Sequence, residues 1–381
     1  MNFTLSEEQA LLRDSVGRFV TEVCSVERHR RLVNTEAGYD PSVWQQFADL
    51  GWLGIPFAEA LGGIGGSAAD VMVFCEALGR GLVREPFLPT VITCGALLRL
   101  GGSEQQQANL IPAIIDGSSQ WAFAFAESTS GYDLATVDCE ASLTPRGYSL
   151  NGSKVAVLNG HRADYLVLCA RTAGEMRDQT GLTLFVVDTR LPGVTLEPFT
   201  ALDGSRAANI RLENVSVGAD CVLGSAGDAY SLMAAAIDNA IIAMGAEALG
   251  AMQVLLDATV EYTRTREQFG QPIGKFQALQ HRMADMYLKV EETRSLLYNA
   301  VIRMDEGSAE TPLACAALKV KLAEAGRYVS QQAVQLHGGI GMTDELVVGH
   351  HFKRLLLLSK LYGDEDHHLQ RYLSLVRPAA C

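Results

Sequence analysis

Residues 263–290, reading TRTREQFGQPIGKFQALQHRMADMYLKV, limit what this chain can fold into more than any other stretch. The second half places Phe276, Leu279, Met283, Met286 and Val290 at alternating intervals of three and four, the stripe of a helix that packs on one face and keeps its charge on the other. Just upstream, Gly270, Pro272 and Gly274 interrupt a run that is already helical, so the chain turns and presents Arg264, Arg266 and Gln268 at a helix end. A guanidinium at such a corner suits a diphosphate. Its bland alternative is to complement the partial negative charge of a helix C-terminus.

A second stretch, QLHGGIGMTDE at residues 335–345, follows another long helical pattern. Gly338, Gly339 and Gly341 permit positive φ and carry no Cβ, so a planar or phosphorylated ligand can approach the main-chain N–H groups closely. A third, GWLGIPFAEALGGIGGS at residues 51–67, holds a glycine run that reads equally well as a loop. In this order and spacing, RTREQFGQPIGKFQALQ, QLHGGIG and the upstream run resemble the acyl-CoA dehydrogenase family of flavoproteins over nearly the whole chain.

Charge and cysteine usage narrow the function classes. Against 31 Lys and Arg stand 44 Asp and Glu, a net charge of -13 with no basic run, so neither nucleic acid nor an anionic membrane is expected as a partner. The eight cysteines are dispersed, with Cys75, Cys94, Cys169 and Cys315 in apolar segments and no C-x-x-C pair, so they read as reduced core residues with no metal. Residues 1–20 lack a basic segment followed by an apolar stretch and a small-residue cleavage site, and no run reaches the roughly 18 apolar residues of a membrane span. A cytoplasmic location is expected.

Along the chain, Ser6 and Gln9 form a capping-box pair ahead of a helix lined by Leu12, Val16, Phe19, Val20 and Val23, and helical patterns continue to about residue 118. The period then becomes alternating, with candidate strands at 121–126, 134–142, 148–151, 165–170, 182–187, 194–198 and 209–212. From residue 230 to 264 the chain is apolar nearly all round at its centre, as a buried bundle helix should be. The expected class is α+β: an N-terminal helical domain over 1–118, a middle β-barrel or sandwich over 119–225, and a C-terminal four-helix bundle over 226–381.

Carried residue by residue, the resemblance implies FAD as cofactor. Arg266 matches the arginine that contacts the FAD diphosphate, Phe269 a phenylalanine that packs on the cofactor, and Gln277 a glutamine that faces the adenosine half. Gln335, Gly338 and Gly339 match a loop that reaches the FAD of a neighbouring subunit, which implies a homo- or hetero-tetramer. The segment FAFAESTSGYD, residues 123–133, resembles the flavin-facing threonine-glutamate-proline and glycine-serine-aspartate pattern. Glu127, Gly131 and Asp133 match it, whereas Ala126, Ser128 and Tyr132 replace the threonine, the proline and the serine that hydrogen-bonds the acyl-CoA. Main-chain groups of Phe125 and Ala126 remain to bond the isoalloxazine edge, and Tyr132 is a candidate substrate contact. In KVAVLNGHRADY, residues 154–165, Ala156 and Leu158 stand where a tryptophan and a threonine would cover the flavin.

The family's chemistry needs a carboxylate near the substrate α-carbon to take a proton while hydride leaves the β-carbon for the flavin. Where the resembled tyrosine-glutamate-glycine-threonine pattern holds that base, residues 361–364 read Leu361, Tyr362, Gly363 and Asp364; at the alternative position on the long helix stands Ala240. Asp364 is the candidate catalytic residue, and a non-catalytic acidic loop running on through Glu365 and Asp366 to His367 and His368 is the competing reading. Asp238, a candidate substrate-binding residue, matches the first acid of an Asp-x-x-Arg pattern for CoA whose arginine is Ile241 here.

Two function classes stay open. One is an FAD-dependent acyl-CoA dehydrogenase that desaturates the α,β bond and passes electrons to an electron-transfer flavoprotein, alone or as one subunit of a heteromeric enzyme. The other is a base-less paralogue, serving as the structural FAD-sharing subunit of a heterotetramer, as in the resembled enzymes of steroid side-chain breakdown, or catalysing non-oxidising flavin chemistry such as desulfination. The tail, HGGIGMTDEL with GDEDHHL, most resembles the pimeloyl-CoA dehydrogenase small-subunit type.

Overall fold

Ser6 opens the first helix as its spacing to Gln9 predicts: its hydroxyl accepts the Gln9 N–H and the Gln9 side chain accepts the Ser6 N–H, both at 3.1 Å. In the computed structural model, which describes residues 4–376, the helices α1 Glu7–Val23, α2 Val26–Val33, α3 Pro41–Asp49, α4 Ala68–Arg80, α5 Gly95–Gly101 and α6 Glu104–Ile115 come first. The strands β1 Trp121–Ala124, β2 Glu140–Thr144, β3 Gly147–Leu158, β4 Tyr165–Arg171, β5 Leu182–Asp188, β6 Val194–Thr200, β7 Arg206–Val217 and β8 Val222–Leu223 follow. Then come α7 Tyr230–Thr265, a short hairpin of β9 Glu267–Gln268 and β10 Gln271–Pro272, and α8 Gln277–Asp305, α9 Thr311–His337, α10 Val347–Lys360 and α11 Glu365–Val376. The order helix, strand, helix is the one expected; residues 1–3 and 377–381, at the outer ends of the expected domains, lie outside the described residues.

Packing gathers the chain into two compact units, one of Met1–Leu32, Ser67–Val83 and Ile241–Cys381, the other of Val33–Gly66 and Arg84–Ala240. The first is helical. Its tightest crossing is α4 against α7, where a Cβ on Gly79 would collide with the Glu247 carbonyl and one on Gly250 with the Glu76 carbonyl. Only glycine lets the two backbones touch. Around this crossing Arg354 grips Glu247 through two bonds of 2.5 and 3.0 Å, and Arg294 reaches Glu76 and Gln253. Against the expectation that no run reaches the length of a membrane span, α7 is long and apolar enough for one, but most of that window is buried within the fold, as in the core helix of a bundle.

The second unit holds the sheet, in the order β6-β7-β3-β2-β4-β5-β8, with β1 parallel to β4. Trp121, fully buried, stacks on Tyr165 at 4.8 Å, and the Thr90 hydroxyl bonds both the N–H and the C=O of Trp121. Thr90 lies on a wholly buried π-helix, Phe87–Cys94, that nothing in the sequence pattern announces.

Four strand expectations need correction. Residues 134–139 are not a strand, because side chains take their main-chain groups: Arg171 donates to the carbonyls of Ala135 and Val137, and the Glu127 carboxylate accepts the N–H groups of Asp138 and Cys139. Likewise β1 stops at Ala124, because Lys154 Nζ takes the Phe125 carbonyl and the Ser130 hydroxyl takes the Glu127 N–H. The strand at 148–151 instead continues to Leu158 through register shifts, and β7 is longer than read.

In the helical unit, His29 of α2 and His350 of α10 meet edge to face at 4.8 Å beside His351, which is fully buried and has no hydrogen-bond partner at either ring nitrogen among the described residues. Burial, with His29 and His350 adding to it, pushes the His351 imidazole down to about 3. Burial does the same to His368, also to about 3. The folded pKa lies below the unfolded one near 6.5, so the unfolded chain binds more protons in between; stability is complete above about pH 6.5 and is lost as pH falls toward 3. At pH 5 each such group should have removed about 2 kcal/mol. Urea unfolding of His351→Leu should therefore show less acid sensitivity than wild type between about pH 7 and 5, by roughly that amount; equal losses would exclude His351 as a source.

Candidate functional site

The corner predicted around residue 270 is a two-residue hairpin turn. Gln268 pairs with Gln271, and between them Phe269 and Gly270 both have positive φ, +55° and +77°. This primed turn suits glycine or asparagine at each central position, and phenylalanine there costs about 1–2 kcal/mol. The strained residue is also 90% exposed, with Phe276 edge-on at 6.0 Å. Strain combined with an exposed aromatic ring points to a surface kept for a ligand. Beside it the Arg266 side chain is exposed and makes no hydrogen bond or ion pair among the described residues, while its main chain is fixed by Tyr262 and Ile273. Gln277, exposed, is the first residue of α8, whose N-cap Phe276 supplies no side-chain acceptor.

The glycine loop begins where α9 ends. Gly338 caps that helix at φ +64°, and a Cβ at either Gly338 or Gly339 would meet nothing within 4 Å, so both face open space; Gln335 is exposed one turn earlier. The two motifs, distant in sequence, are joined by a ring stack: Tyr262 at the end of α7 lies on His337 at 4.5 Å and 25°. His337 is buried and anchored through Nδ1 to the Ala333 carbonyl at 2.8 Å. This stack holds the arginine corner beside the glycine loop, and neither partner was singled out in the sequence.

The other predicted cofactor residues belong to the sheet unit. Phe125 stacks on Phe123 at 4.9 Å just beyond β1. Its carbonyl accepts from Lys154 Nζ and that of Ala126 accepts from the Val155 N–H, so neither carbonyl is left as the principal contact for a ring edge. The Ala126 N–H, half-buried, has no hydrogen-bond partner among the described residues. Ala156 is exposed on an irregular part of β3 with φ +53°, Tyr132 is half-buried in the turn beyond the strand, and Asp238 is buried on α7.

Asp364 is engaged as a structural group. One carboxylate oxygen accepts the His367 N–H at 3.2 Å at the start of α11, and the other meets Lys360 Nζ at 3.2 Å. Burial raises its carboxyl, but the His367 N–H and Lys360 outweigh that and hold it below the ordinary carboxylate range. A base with a lowered pKa and both oxygens engaged is a poor proton acceptor.

Each unit by itself carries groups of the kind FAD needs. In the helical unit Arg266 is a cation for a diphosphate without a partner among the described residues, Phe269 an exposed ring for a flat heterocycle, and Gly338 and Gly339 a backbone with no Cβ in the way; in the sheet unit the Ala126 N–H is a donor without a partner among the described residues. Among the described residues there is no cluster of His, Cys, Asp and Glu that could hold a metal ion.

Comparison with known proteins agrees with this chemistry. Sequence models of the acyl-CoA dehydrogenase N-terminal, middle and C-terminal domains match residues 6–118, 122–215 and 230–372. The chain is 33% identical over 368 residues to acyl-CoA dehydrogenase IpdE2 of Mycolicibacterium smegmatis, spanning 96% of this chain and 98% of that protein. Among solved structures it resembles butyryl-CoA dehydrogenase from Megasphaera elsdenii (TM-score 0.92, 26% identity, 99% of this chain and 100% of that one). It also resembles a chain of the ChsE4-ChsE5 complex from Mycobacterium tuberculosis (TM-score 0.90, 28% identity, 100% of both chains).

Two substitutions separate cofactor contact from fold. Arg266→Ala should weaken FAD binding by about 1.5–3 kcal/mol, the worth of a charged hydrogen bond, with the melting temperature of the apoprotein unchanged. Phe269→Gly should relieve the turn and leave the apoprotein at least as stable, yet bind FAD more weakly. Fluorescence titration of apoprotein with FAD checks both, and unchanged affinity in either variant would remove that residue from the site.

Proposed function

The chain belongs to the acyl-CoA dehydrogenase family, and from that premise we propose that it takes part in the α,β-desaturation of an acyl-CoA thioester as one subunit of a heteromeric enzyme whose partner chain supplies the catalytic carboxylate. Its cofactor is FAD, which when bound accepts the hydride from the substrate's β-carbon. The observation that carries the reading is the state of Asp364: the acid nearest the base pattern caps α11 and pairs with Lys360. At the two places where the resembled family carries its glutamate this chain has Tyr362 and Ala240, and the Ala240 site is fully buried.

What the chain's own residues do follows from their geometry. Arg266 neutralises phosphate charge, Phe269 covers an apolar face, the glycine loop admits a close main-chain approach, and Tyr132 and Asp238 are the candidate contacts for the acyl-CoA. An electron-transfer flavoprotein is the proposed acceptor. The likeness of the tail to the pimeloyl-CoA dehydrogenase small-subunit type, and the similarity to a chain of the ChsE4-ChsE5 complex, support a subunit role. The missing carboxylate equally favours a second reading, in which this chain is a structural FAD-sharing subunit or catalyses a non-oxidising flavin reaction such as desulfination.

Oligomerisation is part of the proposal. On α11, Leu369, Leu373, Leu375 and Val376 are 43–51% exposed, and Met342 next to the glycine loop is 77% exposed, more apolar surface than a lone chain usually leaves in water. Light scattering should give a tetramer at micromolar concentration, and a monomer would refute this part.

The reading of Asp364 is tested by Asp364→Asn. Asparagine keeps the cap but loses the partly exposed Lys360 ion pair and withdraws a charge that favours the buried Lys319 ammonium, so stability should fall, while the rate of flavin reduction by acyl-CoA per folded molecule should stay at the wild-type value. A fall of about 10²–10⁴-fold would make Asp364 the base and overturn the reading.

A further inference from the structure

We propose that Lys154 and Glu127 are positioning residues for the cofactor, a buried ion pair that presents the Ala126 N–H as a fixed donor to the acceptor edge of the flavin ring system. The inference rests on the FAD reading and goes beyond it, to side chains that touch no ligand themselves.

Lys154 is wholly buried and Glu127 is 7% exposed, with Nζ and Oε1 2.6 Å apart. Such a pair is a poor source of stability, because desolvating two charges costs about as much as their attraction returns, and an apolar pair of the same volume would often do better. What it does here is directional. The ammonium also donates to the Phe125 carbonyl at 3.2 Å, and the carboxylate accepts the Asp138 N–H at 2.8 Å and the Cys139 N–H at 3.0 Å. The pair thereby ties the peptide that joins Phe125 to Ala126 to a segment more than ten residues downstream.

The strand that carries Lys154 is bent to the same end. Its pairing with β7 shifts register between Lys154 and Val157, and within that irregularity Ala156 has φ +53°, its N–H taken by the Asn209 side chain at 3.2 Å. The bend turns the Val155 N–H onto the Ala126 carbonyl at 2.9 Å, while the Ser130 hydroxyl accepts the Glu127 N–H at 2.9 Å. On both sides of Ala126 the peptide groups are therefore engaged, yet its own N–H, half-buried, has no partner among the described residues. Folded proteins leave few such donors unmatched, and one surrounded by a dedicated scaffold is a donor held for a ligand. A ligand acceptor bonded there would sit on the end of a rigid strand, and a donor at a flavin's carbonyl and nitrogen edge favours the reduced, more electron-rich ring.

The test uses the FAD-loaded full chain, in its native assembly. Ala126→Pro deletes the donor and keeps the carbonyl; Lys154→Met removes the ammonium and leaves the carboxylate its two main-chain N–H groups. Both variants should bind FAD about 3- to 10-fold more weakly per folded molecule, the range for one hydrogen bond lost, with a shifted visible flavin band and a lowered midpoint potential. A pair that only supports the fold would lower the melting temperature of Lys154→Met and leave band, potential and per-molecule affinity at wild-type values, which would overturn the proposal. Wild-type affinity and spectrum in Ala126→Pro would overturn it too, and that variant disturbs no buried charge. Wild-type protein that binds no FAD would refute the cofactor reading itself, whereas wild-type protein that binds FAD like both variants refutes this proposal alone.

Discussion

Direct backbone contact between α4 and α7 at Gly79 and Gly250 is the constraint on which the helical unit depends. Because neither position accepts a Cβ, the axis of α7 is fixed against α4, and the ion pairs of Glu247 with Arg354 and of Glu76 with Arg294 then extend that register to α10 and α8. The end of α7 is consequently a rigid point. From it project Tyr262, stacked on His337, and Arg266, which leads into the strained Phe269 turn. A ligand-facing corner and a glycine loop separated by some seventy residues of sequence thus inherit their mutual placement from a crossing at the middle of that same helix.

Where the chain is irregular, it is held by buried cations that bond carbonyl oxygens. Arg171 donates to six of them, at Ala135, Val137, Ala173, Met176, Asp178 and Thr180, and so fixes two loops at once. Lys154 holds the carbonyl of Phe125, and Lys319, fully buried, holds those of Leu358, Ser359 and Gly363 at the end of α10. Burial pushes the Lys319 amine down to about 7, with Asp364 pulling the other way. Three carbonyls need three N–H donors, which only the ammonium form has, so the loop carrying Tyr362 at φ +56° depends on that charge. That loop is built firmly, with Tyr362 in the left-handed region and Asp364 capping the next helix.

Much of this was legible in the sequence, because the signals were local. The capping box of Ser6 and Gln9, the apolar length of α7, the stripe of α8 and the turn at Gly270 are each decided within a few residues, and each lies where it was read. What was missed depends on partners far apart in the chain. Residues 134–139 alternate like a strand, but Arg171 and Glu127 claim their backbone groups. The π-helix at Phe87–Cys94 is an apolar run whose period carries no distinguishing mark. The candidate site divided the same way: Arg266, Phe269 and the glycines stand out by residue type, whereas the Tyr262 and His337 stack and the Lys154 and Glu127 pair have no signature until the fold brings their members together.

We propose that this chain holds FAD and an acyl-CoA but not the carboxylate that starts the reaction. The most direct measurement is anaerobic stopped-flow bleaching of the flavin band by acyl-CoA, run on the chain purified alone and on its complex with a partner chain that carries the glutamate. The lone chain should bleach about 10²–10⁴-fold more slowly than the complex, the usual worth of a positioned general base. Equal, fast bleaching of the two would contradict it.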